Sequence, residues 1–172
     1  MQQHDLKPEA VLLTHGHCDH LAGVDDVRSA LGPLPLYLGR PEWPALGDPR
    51  ENLSSNVGMS VILSDQNVHD LSPGLTLDLD GTAWQVLDSS GHSPGGRSLY
   101  CPEEKLVIVG DALFAGGVGR VDFHHSNAEQ LITNIRGNLM ALPDDTRVLA
   151  GHGPETTIGH ERATNCYVLH GF

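Results

Sequence analysis

The feature that most constrains this sequence is a cluster of three histidines and one aspartate within six residues, His15-Gly16-His17-Cys18-Asp19-His20. The cluster directly follows the apolar run 9–14, which is typical of a buried strand, and precedes apolar residues at helical spacing. Three imidazoles this close repel one another when protonated, so a divalent cation that binds their neutral forms explains the cluster best. The sequence therefore predicts a metal site between a strand and a helix.

Three further candidate ligands lie near the ends of other predicted strands. Asp111 follows strand 106–109, His152 follows strand 147–150, and His92 lies in a glycine-rich turn after a hairpin strand. Loops at strand ends commonly display functional groups on a rigid scaffold, so these three side chains can converge on the histidine cluster.

The cluster itself offers two sets of ligands. His15 and His17 alternate along an extended segment and can point to the same side, whereas Asp19 and His20 lie on the first helical turn and face a neighbouring position. Two adjacent cations are therefore easier to accommodate than one. Imidazole and carboxylate donors without thiolate are compatible with zinc, iron or manganese.

The remaining periodicities indicate one continuous α/β unit, so we predict a single domain over residues 1–172. Asp80-Gly81 is a strong signal for a two-residue hairpin turn, and Ser126-x-x-Glu129 has the form of a capping box. Residues 40–70 show only short helical turns and loops and are interpreted as a lid region. The predicted elements are strands 9–14, 36–38, 75–79, 84–86, 97–101, 106–109 and 147–150, and helices 21–31, 126–142 and 159–169.

Composition argues against several classes of partner. The chain has 10 Lys and Arg against 22 Asp and Glu, a formal net charge of −12, so nucleic acid is not expected to bind. The apolar runs are too short to cross a bilayer and the first residues lack a signal-peptide pattern, which favours a cytoplasmic protein without membrane contact. Cys18, Cys101 and Cys166 are an odd and widely spaced set, which argues against a disulfide framework and against a Cys-x-x-Cys metal knuckle.

Taken together, the motifs resemble those of the metallo-β-lactamase-fold hydrolases, and within them the glyoxalase II-like branch. The resemblance rests on His-x-His-x-Asp-His at 15–20, Gly-His-Ser-Pro-Gly at 91–95, Gly-Asp-Ala-Leu-Phe at 110–114 and Gly-His-Gly-Pro at 151–154. It covers residues 11 to about 165 and implies an α/β fold of the αββα sandwich type.

The resemblance also implies how the ligands divide between two divalent ions, for which zinc is the expected metal and iron or manganese are alternatives. One ion would be bound by His15, His17 and His92, the second by Asp19, His20 and His152, and Asp111 would bridge the two. Asp19 and Asp111 are the candidate catalytic residues.

The chain is similar to short glyoxalase II-type proteins, which lack the helical glutathione-binding domain of the longer enzymes. A hydroxide shared by two cations can attack a carbonyl at neutral pH, and a thiolate leaves readily because a thiol pKa is about 8.5. We therefore predict hydrolysis of small-molecule acyl thioesters such as hydroxyacylglutathione. Arg120 is the candidate group for binding an acidic substrate, with an ion pair to Asp122 as the alternative, and His124 and His125 are interpreted as solvated loop residues.

Two other functions stay open. The first is a mononuclear iron oxidoreductase of the persulfide dioxygenase type, which is disfavoured because those enzymes usually carry an Ala-His-Asp-Tyr-like segment in place of residues 151–154. The second is a metal-binding remnant without turnover, because the family's N-terminal β-hairpin has no counterpart before Gln2. Its loss would expose the edge of the strand that ends at His15, so we expect the chain to associate, for example as a homodimer.

Overall fold

The structure is a computed structural model that describes residues 7–63 and 67–172. Two β-sheets lie face to face, and helices cover the outer face of each. Within the two described ranges, no helix has the length and apolar character needed to cross a membrane.

The first sheet contains three parallel strands, and short helices provide the crossover connections that parallel pairing requires. The strands in spatial order are β1 (Val11–Leu12), β2 (Leu36–Leu38) and β3 (Val68–Asp70). The helices are α1 (Cys18–Leu21) and α2 (Val24–Leu31) between β1 and β2, and α3 (Trp43–Gly47) after β2. The histidine cluster therefore lies at the predicted junction between a strand and a helix.

The second sheet is mixed and has six strands. The strands that follow β3 are β4 (Thr76–Leu79), β5 (Thr82–Asp88), β6 (Arg97–Cys101), β7 (Leu106–Gly110), β8 (Leu113–Phe114), β9 (Gly117–Val118), β10 (Arg147–Ala150) and β11 (Thr156–Thr157). The spatial order is β11-β10-β7-β6-β5-β4, and β8 and β9 form a separate antiparallel ribbon. Asp80 and Gly81 join β4 to β5 with φ angles of 54° and 82°, so the predicted two-residue hairpin turn is confirmed.

Three apolar clusters hold the layers together, and they confirm the predicted αββα sandwich. The outer helices of the second sheet are α4 (Ala128–Asn134), a π-helical turn (Ile135–Leu139), α5 (Ile158–Thr164) and α6 (Cys166–His170). The cluster under these helices includes Leu131, Ile135, Leu139, Ile158, Val107 and Val109. The cluster between the two sheets includes Leu71, Val86 and Leu99, and the cluster under α1–α3 includes Leu21, Leu36, Leu38 and Leu46.

The predicted capping box at Ser126 is wrong. Asn127 caps α4 instead, because its side-chain oxygen accepts a hydrogen bond from the backbone N–H of Gln130 at 3.0 Å. The Ser126 hydroxyl donates to the carbonyl of His92 at 2.7 Å. The serine therefore ties the start of this helix to the turn that carries a predicted metal ligand.

Two predicted continuous helices are each broken into two. Helix 21–31 is interrupted at Ala22-Gly23, between α1 and α2. Helix 159–169 is interrupted at Asn165, whose backbone is extended and whose side chain caps α6 while it donates to the carbonyl of Gly117 at 3.0 Å. The break allows the second half to pack against the β8–β9 ribbon.

The segment interpreted as a lid is bonded to the rest of the structure. It contains α3 and the 3₁₀ turns Arg40–Glu42 and Ser54–Val57. The fully buried amide of Asn52 donates to the carbonyls of Ala45 and Val61, and its backbone carbonyl accepts the N–H of Cys18. In the described part of this segment, the chain forms a fixed wall beside the histidine cluster.

Within the described ranges, β1 is an edge strand that pairs with β2 on one side. The predicted absence of a hairpin before Gln2 falls on residues outside those ranges. Association of two copies stays a prediction.

Candidate metal centre

The structure brings all seven predicted ligands to one place, beyond the C-terminal ends of β1, β5, β7 and β10. They form two groups with one aspartate between them. The buried group consists of His15, His17 and His92, and the open group consists of Asp19, His20 and His152.

The three imidazoles of the buried group surround a common point. Nδ1 of His17 lies 3.0 Å from Nε2 of His92, and the ring of His15 is centred 4.7 Å and 5.1 Å from those of His17 and His92. All three side chains are nearly inaccessible to solvent. The spacing is that of donors around one cation.

The outward nitrogen of each buried-group ring has a hydrogen-bonding partner. Nδ1 of His15 lies 3.1 Å from the hydroxyl of Thr14, and Nδ1 of His92 donates to the carbonyl of Arg120 at 2.8 Å. Nε2 of His17 lies 3.1 Å from Nε2 of His125. Such partners fix the tautomer and orientation of ligating histidines and leave the other nitrogen facing the cation.

The open group lies beside the first, on α1 and after β10. Nε2 of His152 lies 3.0 Å from a carboxylate oxygen of Asp19, and Nε2 of His20 lies 3.7 Å from the same oxygen. The Asp19 and His152 side chains are 50% and 58% exposed. This group therefore meets solvent at the mouth of the site.

Asp111 stands between the groups, at the end of β7. Its Oδ1 lies 3.4 Å from Nε2 of His20, and its Oδ2 lies 3.4 Å from Nε2 of His152 and 3.7 Å from Nε2 of His92. One carboxylate thus faces both groups, the open group with both of its oxygens and the buried group with Oδ2. A side chain on the adjacent Gly151 would collide with Oδ1, so glycine is required for this close approach.

Three buried polar atoms at the centre support the assignment of cations there. Nε2 of His15, Nε2 of His20 and Oδ1 of Asp111 form no hydrogen bond among the described residues, and the last two face each other as an ion pair at 3.4 Å. A buried polar atom without a partner is costly, and all three are nitrogen or oxygen donors of the kind that zinc, iron or manganese accept. The donor set therefore fits two divalent cations.

Electrostatics prepares the buried group for metal binding. Burial, together with the neighbouring imidazoles, lowers the pKa of His15 well below its usual range and that of His17 to about 3. Burial also lowers the pKa of His92. These rings are therefore neutral at physiological pH, and neutral imidazole is the form that binds a cation.

His20 and Asp111 shift in the direction expected of an ionic pair. Burial opposes protonation of His20, but the carboxylates of Asp111 and Asp19 outweigh it and raise the pKa. Burial likewise opposes ionisation of Asp111, but the facing histidines outweigh it and lower the pKa of the carboxyl. Asp111 is thus held as a carboxylate, the form needed to bridge two cations.

Sequence reasoning missed Glu42, which ties both histidine loops of the buried group together. Its side chain is buried, and its two oxygens accept the N–H of Gly16 at 3.0 Å and that of Gly95 at 2.5 Å. Gly16 separates His15 from His17, and Gly95 lies in the turn of His92. No spacing signal marks Glu42, because a single glutamate in an irregular segment is indistinguishable from a surface charge.

A cavity of 310 Å³ opens onto the ligands and adjoins a second one of 720 Å³. Arg120 and Phe123 line both, and aliphatic side chains from residues 53–61 line the second. The Arg120 guanidinium is exposed, pairs with Asp122 at 2.8 and 2.9 Å, and lies 4.7 Å from the centre of the Phe123 ring. The ion pair that we considered as the alternative for Arg120 is therefore present, at the edge of the cavity.

The interpretation of His125 as a solvated loop residue is wrong. Its ring is half-buried and contacts His17, whereas His124 is exposed and contacts Glu51. Those three residues, Glu51, His124 and His125, form another cluster that could bind a cation.

Curated relatives have names that agree with a metal-dependent hydrolase. The chain is 38% identical over 172 residues to the probable metallo-hydrolase YqgX of Bacillus subtilis, covering all of this chain and 81% of that protein. It is 33% identical over 171 residues to the hydroxyacylglutathione hydrolase GloC of Haemophilus influenzae, covering 98% of this chain and 79% of that protein.

Solved structures agree with this family for the fold. The B3 metallo-β-lactamase BLEG-1 superposes with a TM-score of 0.90 at 36% identity, over 97% of this chain and 80% of that one. TTHA1623 in a di-iron-bound form superposes with a TM-score of 0.85 at 37% identity, over 96% and 80%. The sequence also matches the Metallo-beta-lactamase superfamily over residues 2–152, a range that contains all seven ligands. With this match, two opposed sheets and ligands at their strand ends, the chain belongs to the metallo-β-lactamase superfamily of metal-dependent hydrolases.

Proposed function

We propose that this protein is a binuclear metallohydrolase that cleaves acyl thioesters. The observation that carries the proposal is the position of Asp111, whose carboxylate faces both groups: Oδ1 and Oδ2 face histidines of the open group, and Oδ2 also faces His92 of the buried group. A residue placed in this way would be a ligand to both cations. Two divalent cations bound there would supply a hydroxide nucleophile at neutral pH and a Lewis acid for the carbonyl oxygen.

The side chains around the cavity favour a leaving group that needs no proton. Apart from the seven ligands, Cys18 and Arg120 are the titratable groups among the described residues that line the 310 Å³ cavity. Burial raises the pKa of the Cys18 thiol, and the guanidinium of Arg120 stays protonated. Neither is a general acid suited to protonating an amine, whereas a thiolate can leave without one.

Arg120 provides a binding site for an acidic part of the substrate. Exposed ion pairs such as Arg120–Asp122 contribute little to stability, so a substrate carboxylate can replace Asp122 at little cost. The relative GloC is named a hydroxyacylglutathione hydrolase. Hydroxyacylglutathione is a thioester that carries carboxylates, so it fits a site with an arginine at its edge. Glutathione thioesters are therefore the first substrates to test.

The test uses protein loaded separately with zinc, manganese or iron. Each form is assayed with lactoyl-glutathione and acetyl-glutathione, and with the amide analogue of the same acyl group. We expect hydrolysis of the thioesters and none of the amide, and no oxygen uptake with glutathione persulfide. Protein that binds two cations per chain but leaves every thioester intact would disprove the proposal, and persulfide-dependent oxygen uptake would assign a dioxygenase instead.

A second candidate function is β-lactam hydrolysis, which the similarity to BLEG-1 favours. A β-lactam is a strained amide, so its cleavage depends less on protonation of the leaving nitrogen. Hydrolysis of a chromogenic cephalosporin by the same preparations, with a larger kcat/KM than for any thioester, would make this the main activity. We expect the thioester to be the better substrate.

A further inference from the structure

The three histidines of the buried group differ in what holds their outward nitrogens. Nδ1 of His15 contacts the hydroxyl of Thr14, the preceding residue, and Nδ1 of His92 donates to the backbone carbonyl of Arg120. His17 is bonded to the side chain of His125, which lies 108 residues away in the sequence. His125 itself belongs to neither ligand group.

The loop that carries His125 is fixed to the turn that carries His92. The Ser126 hydroxyl donates to the His92 carbonyl at 2.7 Å, and the Asn127 N–H donates to the Gly91 carbonyl at 2.7 Å. The rings of His17 and His92 also lie edge-on to Phe123, two residues before His125. His125 is therefore held in place relative to the buried group.

The proton positions follow from the chemistry of imidazole. When Nδ1 of neutral His17 binds a cation, the remaining proton is on Nε2, which must then donate a hydrogen bond. Nε2 of His125 is 3.1 Å away and can accept it if the proton of His125 is on Nδ1. Nδ1 of His125 in turn lies 3.3 Å from Nε2 of His124, which can accept that second proton.

We propose that His125 is a positioning residue of the metal centre, which accepts a hydrogen bond from Nε2–H of His17 and thereby fixes the ring in the orientation that binds the cation through Nδ1. The proposal rests on the metal-binding part of the proposed function and is independent of the substrate. It gives His125 a role in metal affinity, although the residue does not touch the cation.

The same histidine also belongs to the cluster of Glu51, His124 and His125, so a third cation is the competing interpretation. Nε2 of His124 lies 3.4 Å from Oε2 of Glu51 and 3.3 Å from Nδ1 of His125. Donors around tetrahedral zinc, with bonds of about 2.0–2.1 Å, are separated by about 3.3–3.4 Å, so this geometry is suitable.

Proton placement favours the positioning role over a third cation. A cation on Nδ1 of His125 would put the proton of that neutral ring on Nε2, where it would face the Nε2 proton of metal-bound His17 at 3.1 Å. Two donors cannot share that contact. With the buried group loaded, His125 therefore serves His17 and is not a ligand itself.

The test measures zinc binding to the full chain by competition with a chromogenic chelator. His125→Met and His125→Gln have side chains of similar length, but only the glutamine carries a strong acceptor. We expect H125M to weaken zinc binding by about 10–100-fold, as loss of a partner to a ligating histidine typically does. H125Q should retain most of the affinity. The matched control His124→Gln keeps an acceptor for the Nδ1 proton of His125 and should bind two cations with wild-type affinity.

The outcomes separate the alternatives without an activity assay. Equal zinc affinity of H125M and wild-type protein would overturn the proposal. Three cations per wild-type chain, with one lost in H124Q, would assign the third-cation site instead. If H125M melts below the wild type without metal, H125A and H125Q provide the same comparison, and a purely structural role would lower the affinity of both equally. Thioester activity can fail in all of these variants without affecting the result.

Discussion

The two ligand groups are held by the protein in different ways. The imidazoles of the buried group are nearly inaccessible to solvent, and the outward nitrogen of each ring has a partner. In the open group, Asp19 and His152 are half-exposed and contact each other directly. The buried group is thus preorganised for a cation, whereas the open group depends on its cation to keep the ligands together. We expect tighter binding and slower exchange at the buried group.

Removing the residue shared by both groups should have the largest effect. Asp111→Ala should lose at least one of two bound cations and lower kcat/KM by about 10³-fold or more, because several kcal/mol of transition-state stabilisation depend on paired cations. Metal analysis of purified protein and the thioester assay measure both effects. Asp111→Asn keeps the shape of the side chain but weakens the bridge. Its metal content and kcat/KM should therefore lie between those of the wild type and Asp111→Ala. Full activity with one cation per chain or fewer would rule out the binuclear arrangement.

Deleting one histidine from each group tests the difference between them directly. His15→Ala removes a fully buried ring, so it should leave a cavity, lower the melting temperature and reduce metal content to one cation or fewer. His152→Ala removes an exposed ring and should keep the fold and the cation of the buried group. The measurements are thermal melting and metal content. Equal losses in the two variants would show that the groups are not held differently.

Substitution of Glu42 tests whether its two hydrogen bonds hold the loops of the buried group in place. Glu42→Ala leaves the N–H groups of Gly16 and Gly95 unpaired, which should lower the free energy of unfolding by about 2–5 kcal/mol. Glu42→Gln keeps one acceptor and should lose about half as much. Urea unfolding measures the stability, and chelator competition should show weaker binding at the buried group. A stable Glu42→Ala variant with normal metal affinity would contradict this role.

The smallest effect concerns the pH dependence of the protein without metal. Burial lowers the pKa of His15, His17 and His92 in the folded state, so the unfolded chain binds more protons below about pH 6.5. Their stabilising contribution is therefore present above that pH and is lost as the pH falls. His20 shifts the other way and opposes part of the loss.

We therefore expect the free energy of unfolding in chelator to decrease from about pH 7 to about pH 5. His17→Gln should have a weaker dependence, because one group that takes up a proton on unfolding is gone. The free energy of unfolding is measured by urea unfolding at several pH values. Stability that is flat or rises toward acid pH would show that protonation of the buried group does not control it.

Much of the site was predictable because its ligands occur in local motifs. The cluster at residues 15–20 and the glycine-flanked ligands at strand ends are readable as patterns, and their convergence follows from where strands end. Glu42 and His125 could not be predicted in this way. Each acts across more than 50 residues of sequence on a backbone amide or a ring, and neither contact leaves a periodic trace.

The sequence signals for helices predicted where the helices lie, but not where each helix begins and ends. The apolar spacing placed helical segments correctly at residues 21–31 and 159–169, but Asn165 breaks the second because its side chain is bonded to Gly117 on the ribbon. Ser126 had a good capping pattern and was displaced by Asn127, because its hydroxyl is bonded to the turn of His92. In both cases a tertiary hydrogen bond outweighed a local preference.

By itself, the sequence determined the layered α/β fold and the set of side chains that converge at the candidate metal centre, since apolar periodicity and ligand spacing are local properties. The tertiary structure decided how those ligands differ. Burial makes the imidazoles of one group neutral, Asp111 faces both groups, and Glu42 and His125 support the buried group from distant loops. These properties depend on desolvation and on contacts between remote segments, which exist only once the two sheets have packed together.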